Sequence, residues 1–143
     1  MKKLLVMLTM VMTLAFASVC AAYDGGVLNK EQKAAETFTN AVTGQTVTYD
    51  QFASGLNAEL KKQITEEVVA NLQKQVKEKY GSLKDIRFVS FERYADADKL
   101  VYVASFSKEQ VVAMVYVFDA KQKLDSFSYN PIRNEAPKEE AKK

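Results

Sequence analysis

Between residues 86 and 129 the chain is four runs of β-forming residues, Ile86–Tyr94, Leu100–Phe106, Val111–Phe118 and Leu124–Tyr129. The breaks between them are short and polar: Ala95-Asp96-Ala97-Asp98, Ser107-Lys108-Glu109-Gln110 and Asp119-Ala120-Lys121-Gln122. Connections of that length close hairpins but cannot carry a parallel crossover, so each strand is expected to pair antiparallel with its neighbour, as a meander. In the first run Ile86 and Phe88 share one parity while Val89 and Phe91 share the other, which predicts a β-bulge near Val89.

Upstream of Gly81 the period is helical. Asn29 with Gln32 three residues on has the spacing of a capping box, and Ala34, Ala35, Phe38, Ala41 and Val42 then form one apolar stripe ending near Gly44. Tyr49, Phe52, Ala53 and Leu56 share a face of a short second helix, and Asn57–Gln63 adds a turn or two with Leu60 and Ile64 inward. Thr65 then caps a longer helix whose stripe is Val68, Val69, Leu72, Val76 and Tyr80, and Gly81 is placed to end it in the left-handed conformation. Its charged side, Glu66, Glu67, Gln73, Lys74, Lys77 and Glu78, reads as solvated surface. The expected fold class is α+β: three N-terminal helices packed on a curved four-stranded antiparallel meander.

Three helices cover one face of such a sheet, yet the third run is apolar on both. Val111, Ala113, Val115 and Val117 have one parity, and Val112, Met114, Tyr116 and Phe118 have the other. The second run sets Val101 and Val103 opposite Leu100, Tyr102, Ala104 and Phe106. A strand without a wet face needs a second cover. Val101, Val103, Val111, Ala113, Val115 and Val117 are therefore candidates for a homodimer face, the alternative being a strongly curled sheet with a terminal segment folded over it. On the other side Phe38, Tyr49, Phe52, Tyr102, Tyr116 and Tyr129 are candidates to line a concave pocket for a small apolar ligand, with phenolic hydroxyls as orienting groups. The competing reading is that these rings simply pack, half-buried.

The N-terminus reads as an export signal. Met1-Lys2-Lys3, the apolar run Leu4–Phe16 and the small residues Ala17-Ser18-Val19-Cys20-Ala21-Ala22 follow the order of a secretory signal peptide, with cleavage expected near Ala22. Cys20 offers an alternative, lipidation and tethering to a membrane, through a lipobox that has Val19 and Ala17 where a small residue and Leu are usual. The expected organisation is a signal peptide over 1–22, a flexible lead over 23–28, one domain over 29–132 and a charged, disordered tail over 133–143. Removing 22 of the 143 residues leaves 121, the size of a single core.

Lys2 and Lys3 are the whole excess of the 20 basic over the 18 acidic side chains, so the cleaved chain is neutral and no nucleic-acid partner is indicated. Cys20 is the only cysteine, and the sequence contains no histidine and no tryptophan. After cleavage, thiol nucleophiles, disulfides, Cys/His zinc sites and Ser-His-Asp triads all lack the residues they need. No metal site and no cofactor is expected.

Ala35-Glu36-Thr37-Phe38, Phe52, Ile64-Thr65-Glu66-Glu67-Val68, Tyr80-Gly81-Ser82-Leu83-Lys84-Asp85-Ile86 and Val117-Phe118-Asp119 with Leu124 together resemble the domain of unknown function 3887 family. The resemblance spans residues 30–132 and implies the cystatin-like cone fold shared by nuclear transport factor two and ketosteroid isomerase. It implies no reaction, since that family has no assigned activity and the wider fold hosts both enzymes and inert modules. Ketosteroid isomerases and scytalone dehydratases use an Asp or an Asp–His pair, often with a Tyr donor, and no such set matches here residue by residue. Asp50, Asp96, Asp98, Asp119 and Asp125 fall at helix starts, turns or alternating strand positions, where exposure is expected. The functional expectation is a non-enzymatic binding or interaction module, secreted or held in the periplasm or cell envelope, and homodimeric. Its partner would be a small apolar ligand or an envelope protein, with membrane contact only if Cys20 is lipidated. The alternative is a cone-fold isomerase, dehydratase or hydrolase using Asp and Tyr alone.

Overall fold

The computed structural model describes residues 26–133. The expected signal peptide with Cys20, the first residues of the lead and the tail from residue 134 lie outside the described residues. The elements run α1 (26–42), α2 (Tyr49–Ala53), α3 (Ala58–Gln63), α4 (Glu66–Lys79), β1 (Leu83–Arg93), β2 (Ala97–Phe106), β3 (Val112–Asp119) and β4 (Leu124–Pro131). The sheet order is β1-β2-β3-β4 and every neighbouring pair is antiparallel. The fold is thus the α+β meander that the short polar breaks require.

Local chemistry fixes the joints. The Asn57 side chain accepts the Leu60 N–H at 2.7 Å to start α3, and Thr65 Oγ1 accepts the Val68 N–H at 3.4 Å to start α4. Helix α4 ends at Gly81, whose φ of +84° suits glycine and whose N–H reaches the Lys77 carbonyl at 3.0 Å. A side chain there would also put its Cβ 2.0 Å from Ser107 Oγ, the atom that accepts the Ser82 N–H. The register of β1 on β2 slips between Phe88 and Ser90, which is the bulge expected at Val89.

Strand parity then builds the core. Leu100, Tyr102, Ala104 and Phe106 of β2 and Val112, Met114, Tyr116 and Phe118 of β3 are buried on the helix-facing side. They join Ala35, Phe38, Ala41 and Val42 of α1, Phe52 of α2, Leu60 of α3 and Val69 and Val76 of α4 in one cluster. Two backbone bonds, Asn57 N–H to the Leu124 carbonyl at 2.8 Å and Leu124 N–H to the Gly55 carbonyl at 2.7 Å, fasten the helical half to β4.

Three boundaries differ from expectation. The described residues open in helix, so residues 26–28 are helical and Asn29 lies inside α1 instead of capping it. Leu28 packs against the core, and that burial outweighs the capping signal. The segment after Asn57 forms a helix of its own, which makes four helices among the described residues where three were expected. Finally β2 starts at Ala97, so half of the break expected over Ala95–Asp98 is ladder: Arg93 faces Asp98 in register, and Tyr94 N–H donates to the Ala97 carbonyl at 2.8 Å.

Candidate functional site

Two acids interrupt the apolar interior at the end of the sheet that carries the β1–β2 and β3–β4 turns. Glu31 lies four residues before Ala35 and seven before Phe38, on the buried stripe of α1, and is fully shielded at 0% exposure. Asp98 has the parity of Leu100 and Tyr102, so the pleat turns it inward, and its side chain is 12% exposed. The exposure expected for Asp98 as a turn residue is therefore corrected: it belongs to the strand. Its charge is met by Arg93 across the hairpin, with Nε to Oδ1 at 2.9 Å and Nη2 to Oδ2 at 3.0 Å. This is the two-pronged fork that suits a guanidinium to a carboxylate.

Glu31 has no such compensation, because no hydrogen-bond donor reaches either of its carboxyl oxygens. Burial, and then the neighbouring Asp98 carboxylate, push its pKa up to about 8, while Arg93 pulls the other way. At neutral pH Glu31 keeps its proton.

A cavity of about 220 Å³ adjoins Asp98 and Arg93, lined also by Val27, Asp96, Asp119 and Gln122. Asp119 Oδ1 accepts the backbone N–H groups of Lys121 at 2.8 Å and Lys123 at 3.0 Å, which fixes the β3–β4 turn. The acids are spread around the walls: among the described residues no group of three His, Cys, Asp or Glu is arranged to hold a metal ion.

The six residues expected to line an apolar pocket do come together, but as packed core. Phe38 meets Phe52 at 6.1 Å and Tyr116 at 6.4 Å between ring centroids, Tyr49 meets Phe52 at 5.2 Å, and Tyr116 meets Tyr102 at 5.8 Å and Tyr129 at 6.1 Å. Most of these are edge-to-face contacts, and at such spacings no ligand fits between the rings. The pocket expectation is corrected accordingly; aromatic shape complementarity fills the space with side chains.

The hydroxyls confirm a structural role. Thr39 Oγ1 donates to the Ala35 carbonyl at 2.8 Å, so its contact with Tyr116 must be one in which Tyr116 donates. Tyr116 then accepts from Tyr129 at 3.0 Å. The result is a one-way relay from Tyr129 through Tyr116 and Thr39 to a backbone carbonyl. Tyr49 donates separately to the Ile64 carbonyl at 2.9 Å. Burial pushes the Tyr116 hydroxyl up to about 12 against the lowering effect of Thr39 and Tyr129, and raises Tyr129 and Tyr102 as well, so these phenols stay protonated. Tyr102 differs in one respect: its hydroxyl is buried without a partner.

On the opposite face Val101, Val103, Ala113, Val115 and Val117 are half-buried, aligned as Val103 with Ala113, Val101 with Val115 and Lys99 with Val117. Val111 sits just before β3, 38% exposed, with its carbonyl accepting the Ile132 N–H at 2.8 Å. Arg87, Ser90 and Glu92 flank this stripe on β1, and Asn130, Ser128 and Ser126 flank it on β4. The face is therefore apolar along its middle and polar along both edges.

Sequence patterning missed Glu31 and misplaced Asp98, although both carried a signal. Glu31 continues the stripe of Ala35 and Phe38 toward the helix start, and Asp98 shares parity with four buried residues of its run. No family model, no curated protein and no solved structure matches this chain.

Proposed function

We propose that the chain is an exported, non-enzymatic binding or interaction module that works as a homodimer through the outer face of its sheet. The observation that carries this reading is the valine stripe of β2 and β3, apolar at its centre, polar at its rims and covered by no helix among the described residues. A stripe running down the middle of a face is self-complementary under a two-fold axis, as an isologous dimer needs. Four strands about 4.8 Å apart and about eight residues long give a face of roughly 500 Å². Two copies would bury about 1,000 Å² together, at the lower edge of specific interfaces, so the dimer should be a weak one with micromolar affinity.

The packing argues against the enzyme reading. Four of the tyrosines sit in the core with raised pKa values or committed hydroxyls, and no space separates the rings for a substrate. The basic-then-apolar leader with small residues before Tyr23 supports export. Intact mass of the protein recovered from its native host tests that half, a chain beginning at Tyr23 meaning cleavage and an added acyl mass at Cys20 meaning tethering.

Sedimentation velocity tests the dimer. The protein should show a concentration-dependent shift toward dimer at tens of micromolar, and Val115→Lys should abolish it without lowering the melting temperature. A monomer at every concentration, or a Val115→Lys variant that associates as the parent does, would sink the reading.

A further inference from the structure

Resting on the sheet-face dimer reading, we propose that two copies of the chain stack about a two-fold axis running across the strands, so that Arg87 of each copy pairs with Glu92 of the other.

The register places these charges. Ser90, Val101, Val115 and Ser128 lie opposite one another and form one row across the four strands. The next row toward one end is Arg87, Val103, Ala113 and Asn130, and toward the other end Glu92, Lys99, Val117 and Ser126. Arg87 and Glu92 are five residues apart, an odd separation that on a regular strand would put them on opposite faces. The bulge at Val89 adds one residue and returns both to the outer face, one row either side of the centre. Opposite charges thereby sit symmetrically about the row of Val101 and Val115.

Two identical faces can stack about a two-fold axis lying in their plane, either along the strands or across them. An axis along the strands lays β1 over β4 of the second copy, which sets Arg87 against Asn130 and Glu92 against Ser126. An axis across the strands, through the central row, lays β1 over β1 in the reverse direction. Arg87 then faces Glu92 and Glu92 faces Arg87, while Val101 and Val115 each meet their own counterparts. The second arrangement forms two opposite-charge pairs and the first forms none in these rows, so charge complementarity selects the axis across the strands.

Both side chains are available for the pairing. The Arg87 side chain is 81% exposed, and its ion pair with Asp85 is a loose 3.5 Å. Glu92, 44% exposed, accepts Lys99 Nζ at 3.2 Å and the Tyr94 hydroxyl, and a carboxylate with about four lone-pair sites has capacity for a guanidinium besides. Stacked sheets lie about 10 Å apart, a gap that an Arg and a Glu reaching from opposite sides can close. Asp85 and Arg87 of one copy with Glu92 and Lys99 of the other make a neutral group of four, so no net charge is trapped at the rim.

The test is sedimentation velocity on the parent, on Arg87→Glu, on Glu92→Arg, on an equimolar mixture of these two and on the double variant, with melting temperature as the folding control. Each single variant sets like charges face to face twice and should raise the dimer dissociation constant about tenfold or more. The mixture should dimerise as the parent does, because every pair in a mixed dimer again joins an acid to a base. The double variant, which keeps the parent's net charge, should dimerise too. If the parent dimerises and Val115→Lys abolishes the dimer, but neither charge variant weakens it, the axis is overturned and the sheet-face reading stands. Single variants that stay monomeric when mixed overturn the axis in the same way. Recovery in the mixture without recovery in the double variant would be general attraction between oppositely charged copies, and would overturn it as well. A parent that is monomeric at every concentration overturns both.

Discussion

Replacing Glu31 with glutamine should make the protein more stable, and by an amount that depends on pH. In the unfolded chain Glu31 ionises near its ordinary 4.5, whereas in the folded protein it holds its proton up to about 8. Below 4.5 both states are protonated and the mismatch vanishes. Between 4.5 and about 8 the unfolded chain gives up a proton that the folded one keeps, so the stability of the parent falls as pH rises and levels off above that window. At about 1.4 kcal/mol per pH unit, the penalty at pH 7 is of order 3 kcal/mol. Glutamine keeps the shape, offers an N–H to the Asp98 carboxylate and cannot ionise. Glu31→Gln should thus gain up to about 3 kcal/mol at pH 7 and almost nothing near pH 4.5. Urea unfolding across this window, read as the midpoint at constant slope, measures the effect. If the variant and the parent show the same pH slope, Glu31 does not hold the extra proton and the account of the buried pair is wrong.

Other substitutions separate the hydroxyls that hold the core from the one that does not. Tyr116→Phe should cost about 1–3 kcal/mol in urea unfolding, because Tyr129 loses its acceptor and Thr39 its donor, whereas Tyr102→Phe, which removes an unpartnered buried hydroxyl, should be neutral or stabilising. Equal losses for the two would contradict the relay. Gly81→Ala should cost about 2–3 kcal/mol, from left-handed strain and the collision with Ser107, and lower the melting temperature by roughly 10 °C in calorimetry. An unchanged melting temperature would mean that the turn rearranges freely.

Much of the fold was legible because its signals are local. Thr65 and Gly81 bracket α4 through a side-chain oxygen and a positive φ, and the parity break at Val89 follows from counting alone. That α1 extends ahead of Asn29 was not legible, because Leu28 is held by residues distant in sequence. The site was hidden for a related reason. An acid on an apolar stripe or at the foot of a strand looks like an exposed end until the opposing element is in place, and Glu31 and Asp98 lie far apart in sequence. The aromatic residues meet ring to ring, and whether rings enclose space or fill it depends on centroid separations that spacing along a chain does not encode.

The separation of the helical half from the sheet has a temporal consequence. Every strand pairs with its neighbour in sequence, so residues 83–131 can zip hairpin by hairpin, while the helices depend on closures such as Asn57 to Leu124. A chain synthesised from its N-terminus delivers α1 to α4 before any strand exists to cover them. At about 5–20 residues per second, the sheet takes about 2–10 s to follow. Throughout that interval Ala35, Phe38, Ala41 and Val42 stand open as a greasy stripe, and a holding chaperone that grips amphipathic helices would find its target there, in the first third of the chain.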